Sequence, residues 1–290
     1  MNILRVFMVR TELTPTDRLV RIGHPLPLVD TEHYDEIHVS VLYTWHRDEA
    51  AEVAKAWAPF GPVKIGGPGM GERGEGFASG MYVKSGATIT SRGCPNRCWF
   101  CRVPQREGRA VRELAVRDGW NVLDDNLLRA SPEHIDRVFD MLRHQRHRPA
   151  FTGGLEAAAL TPEIARRLVE LKPGALYFAY DTPDDLTPLR TAADMLREAG
   201  AAAMFQGHHI GCYVLCGYKC DTHEAAEARF VETARAGSPC PELHGMVPYP
   251  MVYRGDDGVR DPEWVGRKWV HKFMRMASKV QVLKEMGVWA

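Results

Sequence analysis

The clearest chemical signal is three cysteines within eight positions, Cys94, Cys98 and Cys101, in the run Gly93-Cys94-Pro95-Asn96-Arg97-Cys98-Trp99-Phe100-Cys101. Thiolates bind soft metals, and three on one short loop wrap one face of a metal centre without help from distant parts of the chain. Gly93 and Pro95 favour a turning backbone, and Arg97 offsets part of the thiolates' charge. The C-x3-C-x2-C spacing leaves three readings: an iron–sulfur cluster, a zinc ion, or ligand-free thiols. Structural zinc ordinarily takes four ligands in two close pairs, and Cys212, Cys216, Cys220 and Cys240 are too evenly spread to supply a second pair. Iron–sulfur therefore leads. Three ligands on a four-iron cluster leave one iron open, as chemistry requires.

The elements that position this loop follow from composition and pattern. The chain has 290 residues, no formal net charge, 45% hydrophobic and 26% charged residues, enough for a substantial core and unlike a disordered polymer. No run approaches the roughly 20 apolar residues of a membrane span, and Arg5 and Arg10 interrupt the apolar start, so Met1–Val9 reads as a strand rather than a signal peptide. The clustered thiols point to a reducing, cytoplasmic setting. Strands are expected at Ile3–Val9, Glu36–Tyr43 and 62–69, with a helix over Asp48–Ala58 that brings Ala51, Val53 and Ala54 together near Trp57. The segment Thr14–Tyr34 reads as loop, and the glycine-rich Gly66–Gly80 as a linker.

From Ala87 a second rhythm begins. Candidate strands are Ala87–Ser91, Trp120–Asp124, Ala150–Gly153, Ala175–Ala179, Ile210–Leu215 and Leu243–Val247. Candidate helices lie at Ser131–Arg146, Thr161–Leu171, Asp184–Ala199 and Thr222–Ala236. Ser131-Pro132 and Thr161-Pro162 each place a hydroxyl at an N-cap and proline at the first helical position. Short strands alternating with helices mean parallel β/α units, although only a short Arg109–Arg117 stretch is available for a helix between the first two. The expected class is α/β, divided as 1–80, 81–250 and a helical tail at 251–290.

The stretch Ile89-Thr90-Ser91-Arg92-Gly93-Cys94-Pro95-Asn96-Arg97-Cys98-Trp99-Phe100-Cys101 resembles the signature of the radical S-adenosylmethionine enzymes, with an apolar strand before the loop and the aromatic Phe100 before the last cysteine. The resemblance covers roughly residues 86–250. It implies a partial (β/α)6 barrel, a 4Fe-4S cluster on Cys94, Cys98 and Cys101, and S-adenosylmethionine chelating the open iron. It also implies a one-electron reductant, such as a flavodoxin or ferredoxin, and a 5′-deoxyadenosyl radical that abstracts hydrogen from a substrate the sequence does not name. Val122-Leu123-Asp124-Asp125-Asn126 looks like the variant of the second-strand motif seen in members with an N-terminal cobalamin-binding-like domain. Asp124 and Asn126 are therefore candidates to meet the methionine ammonium group. Glu156, after Gly153-Gly154 on the third strand, and Tyr180 and Asp181, ending the fourth, are further cofactor-binding candidates, with the fifth strand ending at Gly217.

Each candidate has a plain counterpart: a strand-end turn at Asp124–Asn126, a loop at Glu156, a helix start after Asp181, ordinary thiols at Cys212, Cys216, Cys220 and Cys240. Residues 1–80 resemble a shortened cobalamin-binding-like unit, but the Asp-x-His-x-x-Gly ligand pattern is missing, and no corrin is expected. In the tail, Trp264, Trp269, Phe273, Met276 and Val280 form an apolar helical stripe, with Arg267, Lys268, Lys272, Arg275 and Lys279 around it. That basic, aromatic tail supports the alternative reading, a nucleic-acid-associated module with a structural cluster or zinc. Overall neutrality weighs against it.

Overall fold

The computed structural model describes residues 1–70, 77–238, 240, 243–255, 257–265 and 276–289. The chain is mixed α/β, with two parallel sheets. The first contains β1 (Ile3–Phe7), β2 (Val20–Ile22), β3 (Glu36–Ser40) and β4 (Val63–Gly66) in the order β2-β1-β3-β4, every pair parallel. β2 lies inside the segment expected to be loop. Its three residues are too few to show a period, and pairing with β1 makes it a strand. Helix α1 (Arg47–Trp57) buries Ala50, Val53, Ala54 and Trp57, positions three and four apart, while Ala51 faces out. The Trp57 indole donates to the Gly23 carbonyl at 2.9 Å.

The second sheet contains β5 (Ala87–Thr88), β8 (Asn121–Val122), β9 (Ala150–Phe151), β10 (Ala175–Tyr180), β11 (Ile210–Cys216) and β12 (Val247–Val252). Its order is β12-β11-β10-β9-β8-β5, all parallel, so sequential strands are neighbours. Helices α3 (Pro132–Arg143), α4 (Pro162–Glu170) and α5 (Leu186–Glu198) contribute one core with Val122, Phe151, Leu176 and Phe178. Ser131 and Thr161 cap α3 and α4 as expected, accepting from the His134 and Ile164 amides. In α3, Ile135, Val138, Phe139 and Leu142 are buried in the i, i+3, i+4, i+7 pattern. Removing a ring such as Phe139 from such a face costs about 3–5 kcal/mol.

Two expectations need correction. No helix forms over Arg109–Arg117: a single turn, α2 (Val103–Arg106), precedes β7 (Arg112–Glu113), which pairs antiparallel with β6 (Ser91–Arg92). Backbone bonding to the strand before the cysteine loop outweighs the weak helical pattern there. The sixth strand also starts four residues later than expected and runs through Pro248 and Pro250. As β12 is the outer strand, it pairs on one side only and tolerates residues lacking an N–H. The N-terminal half of helix α7 (His223–Arg235) is capped by Thr222, which accepts from Ala225. In the tail, Trp264 is buried and packs with Phe230, Val247 and Leu283. Trp269, Phe273, Arg267, Lys268, Lys272 and Arg275 lie outside the described residues, as does 71–76 of the expected linker. No helix among the described residues is long and apolar enough to cross a membrane.

Candidate functional site

Because the six strands are parallel, their carboxyl ends share one edge, the edge where loops vary without disturbing the packed layer. The cysteine loop leaves that edge after β5 and β6. Gly93 adopts φ +96°, and a Cβ there would sit 2.3 Å from the Ala110 carbonyl oxygen, so the loop's first turn needs glycine. Its amide donates to Asp125 Oδ2 at 2.9 Å, while Arg92 Nη1 donates to Asp125 Oδ1 at 2.9 Å. Asp125 thus ties the loop to the end of β8. The Cys94 amide donates to Gly108 O, and the Cys101 amide closes a turn onto Cys98 O at 3.0 Å.

Cys98 is exposed, with Cys94 and Cys101 half-buried. Partial desolvation, followed by the neighbouring Cys101 and Cys94 sulfurs and by Asp185 and Asp181, pushes the Cys98 thiol up to about 11. Burial also raises Cys101, against the Val103 amide that donates to its sulfur at 3.5 Å. Ionised neighbours in the triad disfavour ionising Cys98 and Cys101, so a cation among the thiolates would offset that cost. Among the described residues, however, no group of three or more His, Cys, Asp and Glu side chains is arranged to hold a metal ion. Ligands on separate corners of an iron–sulfur cluster need not meet at a point, and the all-thiolate donor set suits one.

Asn126 Nδ2 donates to Cys94 Sγ at 3.3 Å and to Glu156 Oε2 at 2.6 Å. Arg129 pairs with both oxygens of Glu156, through Nε at 2.9 Å and through Nη2. Burial would raise the Glu156 carboxyl, but the Arg129 and Asn126 hydrogen bonds outweigh it and hold the group below its ordinary range. Asn126 is itself 3% exposed, and its Oδ1 is buried without a partner. A buried acceptor in this state costs free energy until a donor reaches it. Asn126 and Glu156 therefore gather at the triad, as the sequence suggested.

Three other candidates do not. Asp124 accepts from the Thr90 amide and hydroxyl, both at 2.6 Å, and from the Ser91 hydroxyl at 2.7 Å. Its carboxylate stitches β8 to the strand before the cysteine loop and is spent on the chain. Tyr180 is correctly placed at the end of β10, but the alternation of a strand sends its side chain into the helical layer, where its hydroxyl donates to Glu232 Oε2 at 2.6 Å. Phe100 meets Trp99 edge-on at 4.9 Å and does not border the cavity beside the triad.

That cavity, about 360 Å³, lies at the ends of β10 and β11 and is lined by Trp99, Asp181, Leu215, Tyr218, Lys219 and Arg229 among others. The Trp99 and Tyr218 rings are 4.0 Å apart at 33°, with the Lys219 ammonium 5.2 Å from the Tyr218 centroid. Asp181 Oδ1 accepts from the Leu215 amide at 3.1 Å; burial, then the charge of Asp185, pushes its carboxyl up to about 7. Near neutrality it both donates and accepts. Gly217 turns the chain at φ +74°, its bare Cα facing the Trp264 ring. Sequence reasoning missed Asp125, Arg129, Trp99 and Tyr218. Only the adjacency of Trp99 to Cys98 hinted at any of them. Cys212 and Cys216 are fully buried, whereas Cys220 and Cys240 are exposed.

A scan against protein-family models and a search of curated proteins each found no match to this chain.

Proposed function

We propose that this protein is a radical S-adenosylmethionine enzyme, and that its second sheet with α3–α5 is a partial (β/α)6 barrel. The observation that carries the reading is the placement of the Cys94–Cys101 loop on the carboxyl edge of the first of six sequentially ordered parallel strands. Asn126, with its unpartnered Oδ1, shares that edge. When bound, a four-iron cluster on Cys94, Cys98 and Cys101 supplies the electron and the open coordination position for cleaving S-adenosylmethionine into methionine and a 5′-deoxyadenosyl radical.

The chain's own residues hold the pieces. Asn126 Oδ1 would accept from an N–H of the methionine amino group, while its Nδ2 keeps Cys94 Sγ in a hydrogen bond that withdraws charge from the sulfur. Glu156, kept ionised by Arg129, fixes the Asn126 amide in the orientation that leaves Oδ1 free. Asp181 meets ribose hydroxyls, and the Trp99–Tyr218 face takes the adenine ring. Asp125 keeps the loop on the sheet edge through Gly93 and Arg92.

The test is anaerobic reconstitution with iron and sulfide, followed by S-adenosylmethionine and dithionite. Expected are about four irons per chain and release of 5′-deoxyadenosine, both lost in Cys98→Ala. A protein that holds the cluster yet yields no 5′-deoxyadenosine overturns the function. One that binds stoichiometric zinc and no iron overturns the metal centre as well.

A further inference from the structure

A second cavity lies between the two sheets, away from the one beside Trp99. It measures about 340 Å³, within the ~300–1,000 Å³ typical of small-molecule sites. Its walls are the carboxyl ends of both sheets. Phe7 ends β1 and Met8 follows it, Ser40 ends β3 and Leu42 lies just beyond, and Gly67 follows β4, while Ile89, Leu123 and Gly153 lie beyond β5, β8 and β9. The segment 77–83 completes it, anchored to the first sheet. The Phe77 ring stacks on His38 at 5.0 Å, Tyr82 Oη meets His38 Nδ1 at 2.5 Å, and the Lys84 amide donates to Leu13 O at 2.8 Å. Gly66 makes the stacking possible, since a Cβ there would fall 2.4 Å from Phe77 Cδ2.

Two features point to an occupant. Val9, Leu13, Leu42 and Met81, all bordering the cavity, are 38–42% exposed, so a third of the exposed large hydrophobic side chains among the described residues gather at one opening. An apolar void destabilises a protein in proportion to its volume, and water gains few hydrogen bonds between such walls. The second feature is Arg92. It borders the cavity, two of its bonds go to Asp125 Oδ1 and Leu123 O, and its Nε is buried without an acceptor.

We infer that this cavity binds the substrate of the proposed radical chemistry, and that the substrate is a small, largely apolar molecule, aromatic or hydrocarbon, carrying one hydrogen-bond acceptor such as a carbonyl or acid group for Arg92. The identification as substrate rests on the proposed function; the binding site does not. Its place fits that role, because Arg92 immediately precedes Gly93 of the cysteine loop and Gly153 packs against the Asp124 and Leu123 backbone, two and three residues before Asn126. The volume suits a two- or three-ring molecule.

The probes are 1-anilinonaphthalene-8-sulfonate and the same ring system without the sulfonate, N-phenyl-1-naphthylamine, titrated into the reconstituted full chain and followed by fluorescence. One saturable site per chain is expected. The sulfonate should bind at least fivefold more tightly than its uncharged analogue. Leu42→Asp and Leu42→Trp, which charge or fill the opening by different means, should each weaken binding at least tenfold while the reconstituted iron content stays at the wild-type level. Absence of a saturable site, or binding indifferent to both substitutions, overturns the site; equal affinity for the two probes overturns the acceptor assignment. Probe binding without any 5′-deoxyadenosine release would sink the substrate role through the proposed function while the cavity stood. Release that persists while no probe binds would do the reverse.

Discussion

The two parallel sheets turn their carboxyl ends to one cavity, yet their polar groups are arranged in opposite ways. On the four-stranded sheet, from the start of β3 to its middle, the polar groups form a closed set: Lys64 Nζ meets Glu36 Oε1 at 2.8 Å, Glu36 Oε2 meets His38 Nε2 at 2.7 Å, and His38 Nδ1 meets Tyr82. The carboxyl ends beyond it present mostly apolar side chains, together with Thr11, Thr14 and Ser40. At the six-stranded sheet, the network from Arg129 through Glu156 to Asn126 and Cys94 stops at a buried oxygen without a donor, next to the three cysteines of the loop. A closed network stabilises the fold, and an open one waits for a ligand. The cysteines divide along the same line. Cys212 and Cys216, sealed within β11, are raised by burial, Cys216 to about 12, and stay inert hydrophobes.

Substitutions that separate open from closed sites test this contrast. The largest effect should come from Cys98→Ala, with loss of all reconstituted iron, set against Cys212→Ala, which should keep the iron and cost about 1 kcal/mol in urea unfolding. If Cys212→Ala lost the iron too, the two classes of cysteine would be one. Next comes Asp124→Ala, which strands two buried hydroxyls and an amide and should cost about 3–5 kcal/mol. Asp124→Asn, which preserves an acceptor, should recover a good part of this. A wild-type unfolding midpoint for Asp124→Ala, with S-adenosylmethionine binding alone impaired, would return Asp124 to the cofactor.

Asp181 supplies a pH test. Its carboxyl is raised from the usual value near 3.8 to about 7 in the folded state, so folding favours its protonated form. The associated stability is complete below about pH 4 and declines as pH rises through about 7, each unit of difference corresponding to about 1.4 kcal/mol. Asp181→Asn should flatten the stability profile over that window and be more stable than the wild type at pH 8. Parallel profiles for the two proteins would show Asp181 to be ordinary. The smallest effect is expected on the closed side: His38→Ala should cost about 1–3 kcal/mol and loosen segment 77–83 without changing iron content. Iron loss in that variant would mean that the two edges are coupled.

Much of this was legible in the chain itself. The N-caps at Ser131 and Thr161, the buried face of α3, the helical layer and five of the six strands of the second sheet follow from local pattern, because a helix stripe and a cap depend on residues within a few positions of one another. β2 and the β6–β7 pair were not readable, since two- and three-residue strands exist only through their partners. Among site residues, the C-x3-C-x2-C loop and the positions of Asn126, Glu156 and Asp181 at strand ends were visible in advance. What each side chain does at those ends was not.

Asp124 and Asn126, two residues apart, show why. Spacing assigned both to the same strand end and could not say which would be consumed by Thr90 and Ser91 and which left with a free oxygen. Tyr180 and Asp181 differ by one residue and so point to opposite faces, one to Glu232 and the other to the cavity. The cavity between the sheets has no sequence signature at all, being assembled from the ends of six strands and a segment roofed over them. Sequence alone determined which groups able to do chemistry stand together, because thiol number and spacing are covalent facts within one loop. Tertiary structure alone decided which polar groups are satisfied, because hydrogen-bond satisfaction and cavity shape depend on distant partners, 27 residues apart for Arg129 and Glu156 and 34 for Thr90 and Asp124.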